Sequence, residues 1–303
     1  MTRASLVKGP CKITFSGGTF YSKGDVEVAV ETQTINIETS AHGKVDERII
    51  DATVKVKFVP CGEWESLAVL FPYAATVPGT SIFTGSDVPL TIESLTSDKD
   101  KVVVKAAAVT KCPDIILGAK ETLFGEVEFT GVPADDTEWD DADRLLAVTT
   151  NGAAPSASGF ATASIITQGY TAAGANLGSF ETYDGFRITF GLQTNPIETD
   201  RLGVLDHSFV SLNVEAKCKP ILTAAQIIAA AKVDGSNARR GRSINAYGEN
   251  LVITGDTGAV IVTLNKAAVK NAALHFHHST PRPGEMTFVA TKAAVTDALY
   301  TLA

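Results

Sequence analysis

Hydrophobic and polar residues alternate along two long stretches of the chain. In the stretch Asp25–Thr39, Val26, Val28 and Val30 alternate with Glu27, Ala29 and Glu31. The stretch that begins at Phe186 has the same pattern, with Phe186, Ile188 and Phe190 at alternate positions. A period of two is typical of a strand with one buried face and one solvent-facing side. We therefore predict a half-buried strand in each half of the chain.

Each of these strands is followed by a polar loop and a second alternating run. The predicted loops are His42–Arg48 and Thr199–Gly203, and the return strands cover residues 52–59 and 209–217. Two long strands joined by a charged loop predict a hairpin that projects from the body of the domain.

The period then changes from two to that of a helix. The apolar positions that follow i, i+3, i+4, i+7 spacing are Trp64, Leu67, Ala68 and Phe71 in the first half and Ala224, Ile227, Ile228 and Ala231 in the second. Thr223 and Gln226 form a capping box at the start of the second segment. Each half is expected to carry one short amphipathic helix that lies on a sheet.

Further strands follow each predicted helix. The clearest hairpin joins residues 251–254 and 259–264 through the turn Gly255–Gly258, and its counterpart joins residues 90–93 and 102–109. The closing strands are predicted near residues 115–117, 125–130, 273–277 and 284–290. This order predicts a mainly β protein with two tandem antiparallel β-sandwich or barrel domains, each with one short α-helix.

The two halves also repeat each other in sequence. Gln33–Thr39 returns as Gln193–Thr199, with five of seven positions identical. Gly125–Phe129 returns as Gly284–Phe288 at nearly the same offset. Such anchors in one order indicate an internal duplication. The predicted organisation is an N-terminal arm (1–24), a first domain (25–131), an acidic and Gly/Ala/Ser-rich linker or insertion (132–182) and a second domain (183–303).

Composition and charge disfavour several classes of protein. The net charge of −8 disfavours a sequence-reading nucleic-acid binder, which normally has a basic surface. No apolar run approaches the roughly 18–20 residues of a membrane span, and Met1–Lys8 has no signal-peptide core, so we expect a cytoplasmic protein. The four cysteines include no CxxC pair and are expected to be free thiols, buried or half-buried.

Candidate catalytic and metal-binding clusters are weak. His275 and His277 share a face of a strand while His278 points away, which leaves two converging ligands. The acidic segment Asp135–Asp143 lacks EF-hand spacing, and the basic cluster Arg239–Arg242 is short and better suited to a contact between subunits. No nucleophile elbow or phosphate-binding loop occurs. We expect neither an enzyme nor a bound metal or cofactor.

The repeated plan resembles a known family. A long hairpin, a helix and a last strand that opens with Gly-Glu-hydrophobic-x-Phe are similar to the tail tube (major tail) proteins of long-tailed, non-contractile bacteriophages. Pro281–Ala290 carries the resemblance most strongly. In that family single-domain subunits form hexameric rings that stack into a tube for genome delivery. The resemblance implies that a duplicated chain forms homotrimeric, pseudo-hexameric rings in the virion tail, assembled in the host cytoplasm.

The resemblance also implies partners and site residues. The partners would be other copies, the tape measure, terminator and distal tail proteins, and double-stranded DNA that passes without specific binding. The residues expected at the lumen or subunit interface are Gln33, Thr34, Glu38, Thr39, Gln193, Thr194, Glu198 and Thr199. The loop residues expected to contact the next ring are Lys44, Asp46, Glu47, Arg48, Asp200 and Arg201.

Three alternatives stay open at this point. The repeated QTxxIET motif would also be explained if it only sets a turn or bulge in each half. Another β-rich virion protein, such as a tail terminator, baseplate ring or capsid-decoration component, would share the same pattern. A duplicated enzyme or carbohydrate-binding module would instead have a pocket lined by converging polar groups.

Overall fold

The structure of the protein is a computed structural model. The described residues are 11–39, 43–83, 88–95, 100–118, 122–132, 145–149, 171–174, 177–199, 203–222, 226, 248–255, 260–276, 281–292, 294 and 296–302. They are mainly β-strands in antiparallel sheets, which confirms the fold class predicted from the sequence.

Nineteen strands are found in the described residues, together with one short helical segment in the first half of the chain. The strands are β1 Cys11–Phe15, β2 Gly18–Ser22, β3 Glu27–Thr39, β4 Gly43–Phe58, β5 Pro60–Cys61, β6 Leu90–Ser94, β7 Lys101–Val104, β8 Ala106–Lys111, β9 Ile115–Leu117, β10 Thr122–Phe124, β11 Val127–Val132, β12 Leu146–Thr149, β13 Thr171–Gly174, β14 Ser179–Thr199, β15 Gly203–Pro220, β16 Glu249–Thr254, β17 Val260–Phe276, β18 Pro281–Val289 and β19 Tyr300–Leu302. The helix α1, Trp64–Leu67, continues as a 3-10 turn, Ala68–Leu70.

The strands form three sheets. One has the order β12-β7-β6-β1-β2-β5, and a second has the order β3-β4-β11-β8. In the third, the path β14-β13-β16-β17-β18-β15 closes on itself because β14 also pairs with β15. Strands β9 and β10 extend this sheet from β14, and β19 pairs with β17. The second half of the chain therefore contains a closed cycle of antiparallel pairings.

The same pairings occur in both halves of the chain, between corresponding positions. We call residues 11–132 the first repeat and residues 171–302 the second repeat. Phe129 is the partner of Val56 across β11 and β4, and Phe288 is the partner of Ala216 across β18 and β15. The hairpin β3–β4 matches β14–β15, and β6–β7 matches β16 with the first part of β17. Both repeats thus have one topology.

Two segments differ from the sequence-based description. Residues 11–22, placed in an N-terminal arm, form β1 and β2 within the first sheet, and Ile13 and Phe20 are fully buried. Residues 171–182, placed in the linker, contain β13 and the start of β14, which correspond to β1 and β2. Five-residue strands between turn residues give a weak periodic signal, so the sequence did not mark them.

The predicted first helix is confirmed as a short element. Of the predicted apolar positions, Leu67 and Phe71 are buried and Trp64 and Ala68 are partly buried; Leu70, which lies outside that spacing, is buried as well. The second predicted helix, 224–231, lies outside the described residues except for Gln226, which is helical. Within the part of the chain that the structure describes, no helix combines the length and the apolar character needed to cross a membrane.

One hydrophobic cluster extends through both repeats. In the first, Phe129 packs between Phe15, with ring centroids 4.8 Å apart, and Phe58, at 5.8 Å. In the second, Phe288 stacks on Phe180 at 6.2 Å. Because the cluster is continuous, the two repeats share a hydrophobic core and are not two domains with separate cores.

Candidate assembly surface

The repeated motif QTxxIET marks two β-bulges in each long hairpin. In β3–β4 the register shifts between Gln33 and Thr34 and again between Ile37 and Glu38. In β14–β15 it shifts at the same positions of the motif. The extra residues on the return strands are Ile50 and Val45 in the first hairpin and Val210 and Leu205 in the second.

The motif therefore lies at two bulges in each hairpin, which is the structural feature that the turn-or-bulge alternative named. A bulge bends its strand and increases the local twist. Both hairpins have two bulges at equal spacing, so the repeat preserves the register shifts of the hairpins as well as the motif sequence. A role of these residues at a lumen or an interface is a separate question and stays a prediction.

The outer part of the second hairpin projects away from the core. Along β14, buried residues alternate with more exposed ones only as far as Phe190. Beyond it Gln193, Asn195 and Pro196 are exposed, and Ile197 is 44% exposed. A strand with solvent-exposed residues on both faces is available for contacts with another molecule.

The structure places all eight predicted lumen or interface residues on the two long strands. Thr34 is exposed on β3. Gln193 is exposed on β14 and accepts a hydrogen bond of 2.9 Å from Ser211 Oγ, and Thr194 Oγ1 lies 3.5 Å from His207 Nδ1. The backbones of Gln33, Glu38, Thr39, Glu198 and Thr199 lie in these strands, and their side chains are outside the described part.

The predicted stacking loops require a correction. Lys44, Asp46, Glu47 and Arg48 are not loop residues but paired residues of β4, opposite Glu38, Ile37, Asn36 and Ile35. The return strand begins earlier than predicted because residues 43–48 are mostly charged and have no apolar alternation to reveal a strand. Asp200 and Arg201 lie outside the described residues.

A strand of the first repeat pairs directly with the second repeat. In β9, Ile115, Ile116 and Leu117 are the antiparallel partners of Ile188, Arg187 and Phe186 in β14. Residues 186–188 also pair with β15 on their opposite edge. Gly185, at φ 78°, allows this approach because a Cβ there would collide with the carbonyl oxygen of Leu117.

A second segment of the first repeat hydrogen-bonds to the second hairpin. The N–H of Gly79 donates to the carbonyl of Phe209 at 2.8 Å, and the N–H of Phe209 donates to the carbonyl of Thr80 at 2.8 Å. The N–H of Ile82 donates to the carbonyl of His207 at 2.9 Å. The backbone of residues 79–82 therefore acts as a short additional strand against β15.

An aromatic group joins the repeats beneath this segment. Phe190 lies 4.9 Å from Phe71 and 5.1 Å from Tyr300, measured between ring centroids. Tyr300 also donates a hydrogen bond of 2.8 Å to the carbonyl of Phe71. The sequence analysis did not identify these residues. An available signal was that Phe190, an aromatic residue, stands at the repeat position occupied by Val30.

The equivalent surface of the first repeat is open. Among the described residues, β3 pairs with β4 alone and ends its sheet. Val30 is 53% exposed, whereas Phe190 at the equivalent position is 5% exposed. Exposed edges with apolar residues are surfaces for pairing with another chain. The molecule thus has one covered and one uncovered copy of the same edge.

The polar face of the described sheets carries charges of both signs. Lys55 pairs with Glu31 at 2.8 Å on the first hairpin, and Lys270 pairs with Glu215 at 2.7 Å beside the second. The hydrogen bond from Lys270 holds the pKa of the Glu215 carboxyl below its usual range. Arg187 pairs with Asp114 of the first repeat at 2.7 Å. The cations of this face are therefore matched by nearby carboxylates.

Other candidate chemistry is not supported by geometry in the described part of the chain. The side chains of His275, His277 and His278, the acidic segment 135–143 and the basic cluster 239–242 lie outside it. Where the structure does describe side chains, no three His, Cys, Asp or Glu residues converge in a way that could hold a metal ion. No family model matches the chain, and no curated protein is similar to it.

Proposed function

We propose that this protein is the structural subunit of a phage tail tube. Three copies form a pseudo-hexameric ring, the rings stack, and the tube is a conduit for genome delivery with no catalytic role. Other tail proteins, namely the tape measure, terminator and distal tail proteins, contact the tube, and double-stranded DNA passes through it. The protein thus belongs to the virion tail.

One observation supports this proposal above the others. The chain contains two equivalent repeats, and the contact between them runs from one surface of the first repeat to a different surface of the second. Such a head-to-tail contact can be repeated until a ring closes. One equivalent edge is covered within the chain and the other is open, as expected for a subunit that continues the same arrangement into the next copy.

The charge of the chain is compatible with a DNA conduit. A tube wall that carries unpaired cations would bind phosphates and slow the passage of DNA, because each contact releases counterions. The net charge is −8, and lysines on the described polar face have carboxylate partners, such as Lys57 with Glu128 at 3.5 Å and Lys55 with Glu31 at 2.8 Å.

Negative-stain electron microscopy of the purified full chain tests this proposal, with light scattering to measure the mass of the assembled species. The expected result is tubes of stacked rings, together with trimers at low protein concentration. Single rings that never stack would favour a terminator, baseplate or decoration protein instead. A monomer at all concentrations would overturn both functions.

A further inference from the structure

The first repeat has an open strand edge whose equivalent in the second repeat is occupied. Residues 26–28 correspond to residues 186–188, since Glu27 is the partner of Lys57 as Arg187 is the partner of Lys217. In the second repeat this edge receives β9. Within the described part of the chain, the edge of residues 26–28 that faces away from β4 has no strand partner.

The strand that fills the edge also has an equivalent. Strands β9 and β10 pair Leu117 with Thr122, and β17 and β18 pair Phe276 with Pro281 at the corresponding positions of the second repeat. Leu274–Phe276 is therefore the counterpart of β9. Its backbone pairs with β18 on one edge, and among the described residues its other edge has no strand partner.

We propose that Leu274–Phe276 of one copy adds as an antiparallel strand to residues 26–28 of a second copy. The contact within the chain supplies the register: position 27 lies opposite position 275, and position 28 opposite position 274. The inference rests on the proposed function in that it describes how one subunit of the ring meets the next. It identifies the donor segment and the acceptor edge.

Exposure and charge agree with this partner. Val30, on the acceptor strand, is 53% exposed in the single chain, and an exposed valine on an open edge suits a strand from another molecule. The register sets the acidic residue Glu27 opposite His275, whose backbone partner is Arg282. In a symmetric pairing of two such edges, Glu27 would instead face a second Glu27, and like charges at directly opposite positions destabilise a sheet.

The contact between repeats within the chain and the proposed contact between copies differ at one end. Gly185 stands at the position equivalent to Asp25, while the glycine of the first repeat is Gly24, one residue earlier and with open space around it. The close backbone approach at Gly185 is therefore not carried over to Asp25, and the proposed pairing begins at residue 26.

Disulfide trapping tests the register directly. Directly opposite residues of antiparallel strands have Cα atoms about 4.5–5.5 Å apart, a separation that a disulfide bridges. In a Cys61→Ser background, which removes the exposed thiol, the double variant Glu27→Cys/His275→Cys should form covalent dimers and trimers under oxidation. A reducing agent should return them to monomers.

Matched variants define the outcomes. Glu31→Cys/His275→Cys shifts one thiol by four positions, about 13 Å along the strand, and should stay monomeric on a non-reducing gel. The single variants should not cross-link alone, but a mixture of the two should give dimers and no larger species. A disulfide dimer of Glu27→Cys alone would indicate symmetric edge-to-edge pairing and overturn the inference.

Electron microscopy of the same samples separates the two proposals. Tubes or rings formed without cross-linking of positions 27 and 275 would overturn this contact and leave the tube function standing. Cross-linked oligomers that never form rings or tubes would support the contact and overturn the function. If the samples contain neither cross-linked oligomers nor rings or tubes, both the proposed contact and the proposed function are overturned.

Discussion

At one pair of equivalent positions, the two repeats carry different residues. The residue in the second repeat is buried by neighbouring side chains, and the residue in the first repeat is exposed. Phe190 fills the space between Phe71 and Tyr300, while Val30 lies on an open surface. The two positions share strand, register and neighbours on β4 and β15. Comparing a substitution at each position therefore shows how much the contact between repeats contributes to stability, because the two positions have otherwise similar surroundings.

Replacement of Phe190 with alanine should strongly destabilise the protein. Loss of a fully packed phenylalanine lowers the free energy of unfolding by about 3–5 kcal/mol. Val30→Ala is the control and should lower it by about 1 kcal/mol or less, because the side chain is already half solvated. Urea unfolding followed by circular dichroism measures both. Equal effects would mean that Phe190 does not stabilise the contact between repeats.

The cysteines give a second residue-scale prediction. Cys61 is exposed, whereas burial raises the pKa of Cys112 to about 12 and that of Cys11 to about 11, and it also raises the pKa of Cys218. Since the thiolate is the nucleophile, a soluble alkylating reagent at mildly alkaline pH should modify Cys61 and spare the three buried thiols.

Mass spectrometry of the alkylated native protein measures this selectivity. In the Cys61→Ser variant the modification should disappear, and in denaturant all remaining thiols should react. Fast alkylation of Cys112 in the folded state would show that its site opens to solvent.

At the scale of elements, the two long hairpins have the same register shifts and different surroundings. Residues 79–82 hydrogen-bond to the carbonyls of His207 and Phe209 and to the N–H of Phe209 on the second hairpin. For the outer part of the first hairpin, the described residues show pairing within the hairpin and no comparable backbone bonds to another segment. This difference predicts different costs for shortening them.

Shortening the first hairpin should abolish assembly while the fold is retained. Thr34 and Ile49 are directly paired, so an Asn-Gly turn can replace residues 35–48 between them. The same change in the second hairpin, between Thr194 and Phe209, removes His207 and its bond to Ile82 and should lower the melting temperature more. Thermal melts and electron microscopy report the two effects. Normal tubes from the first variant would exclude its outer hairpin from stacking.

The sequence predicted the elements better than their partners. Alternation indicated the long hairpins, and one of the open alternatives placed a turn or bulge at the repeated motif. The start of the return strand in the first hairpin was assigned to a loop because residues 43–48 are mostly charged, and β1 and β2 were missed because they are short. The pairing of β9 with β14 joins segments that are far apart along the chain. Three apolar residues carry no information on which edge they will meet.

At the scale of the whole molecule, charge determines how the tube would treat DNA. Lys55, Lys57 and Lys270 on the described strands each have a carboxylate partner. The whole chain has 34 acidic and 26 basic residues, so carboxylates are in excess. The motif glutamates Glu38 and Glu198, next to the second bulge of each hairpin, are the sites we assign to the bore.

Lysine at both of these positions should preserve assembly and slow DNA ejection. Each lysine near DNA adds about one counterion-release contact, and a stacked tube repeats that contact many times, so the delay should shrink as salt is raised. The control is Glu63→Lys/Glu65→Lys, which makes the same charge change at exposed positions around α1. Ejection from phage assembled with each variant, followed by dye binding to released DNA at several salt concentrations, measures the delay. Equal ejection by both variants, or a map with both motif glutamates on the outer surface, would remove them from the bore without affecting the tube proposal.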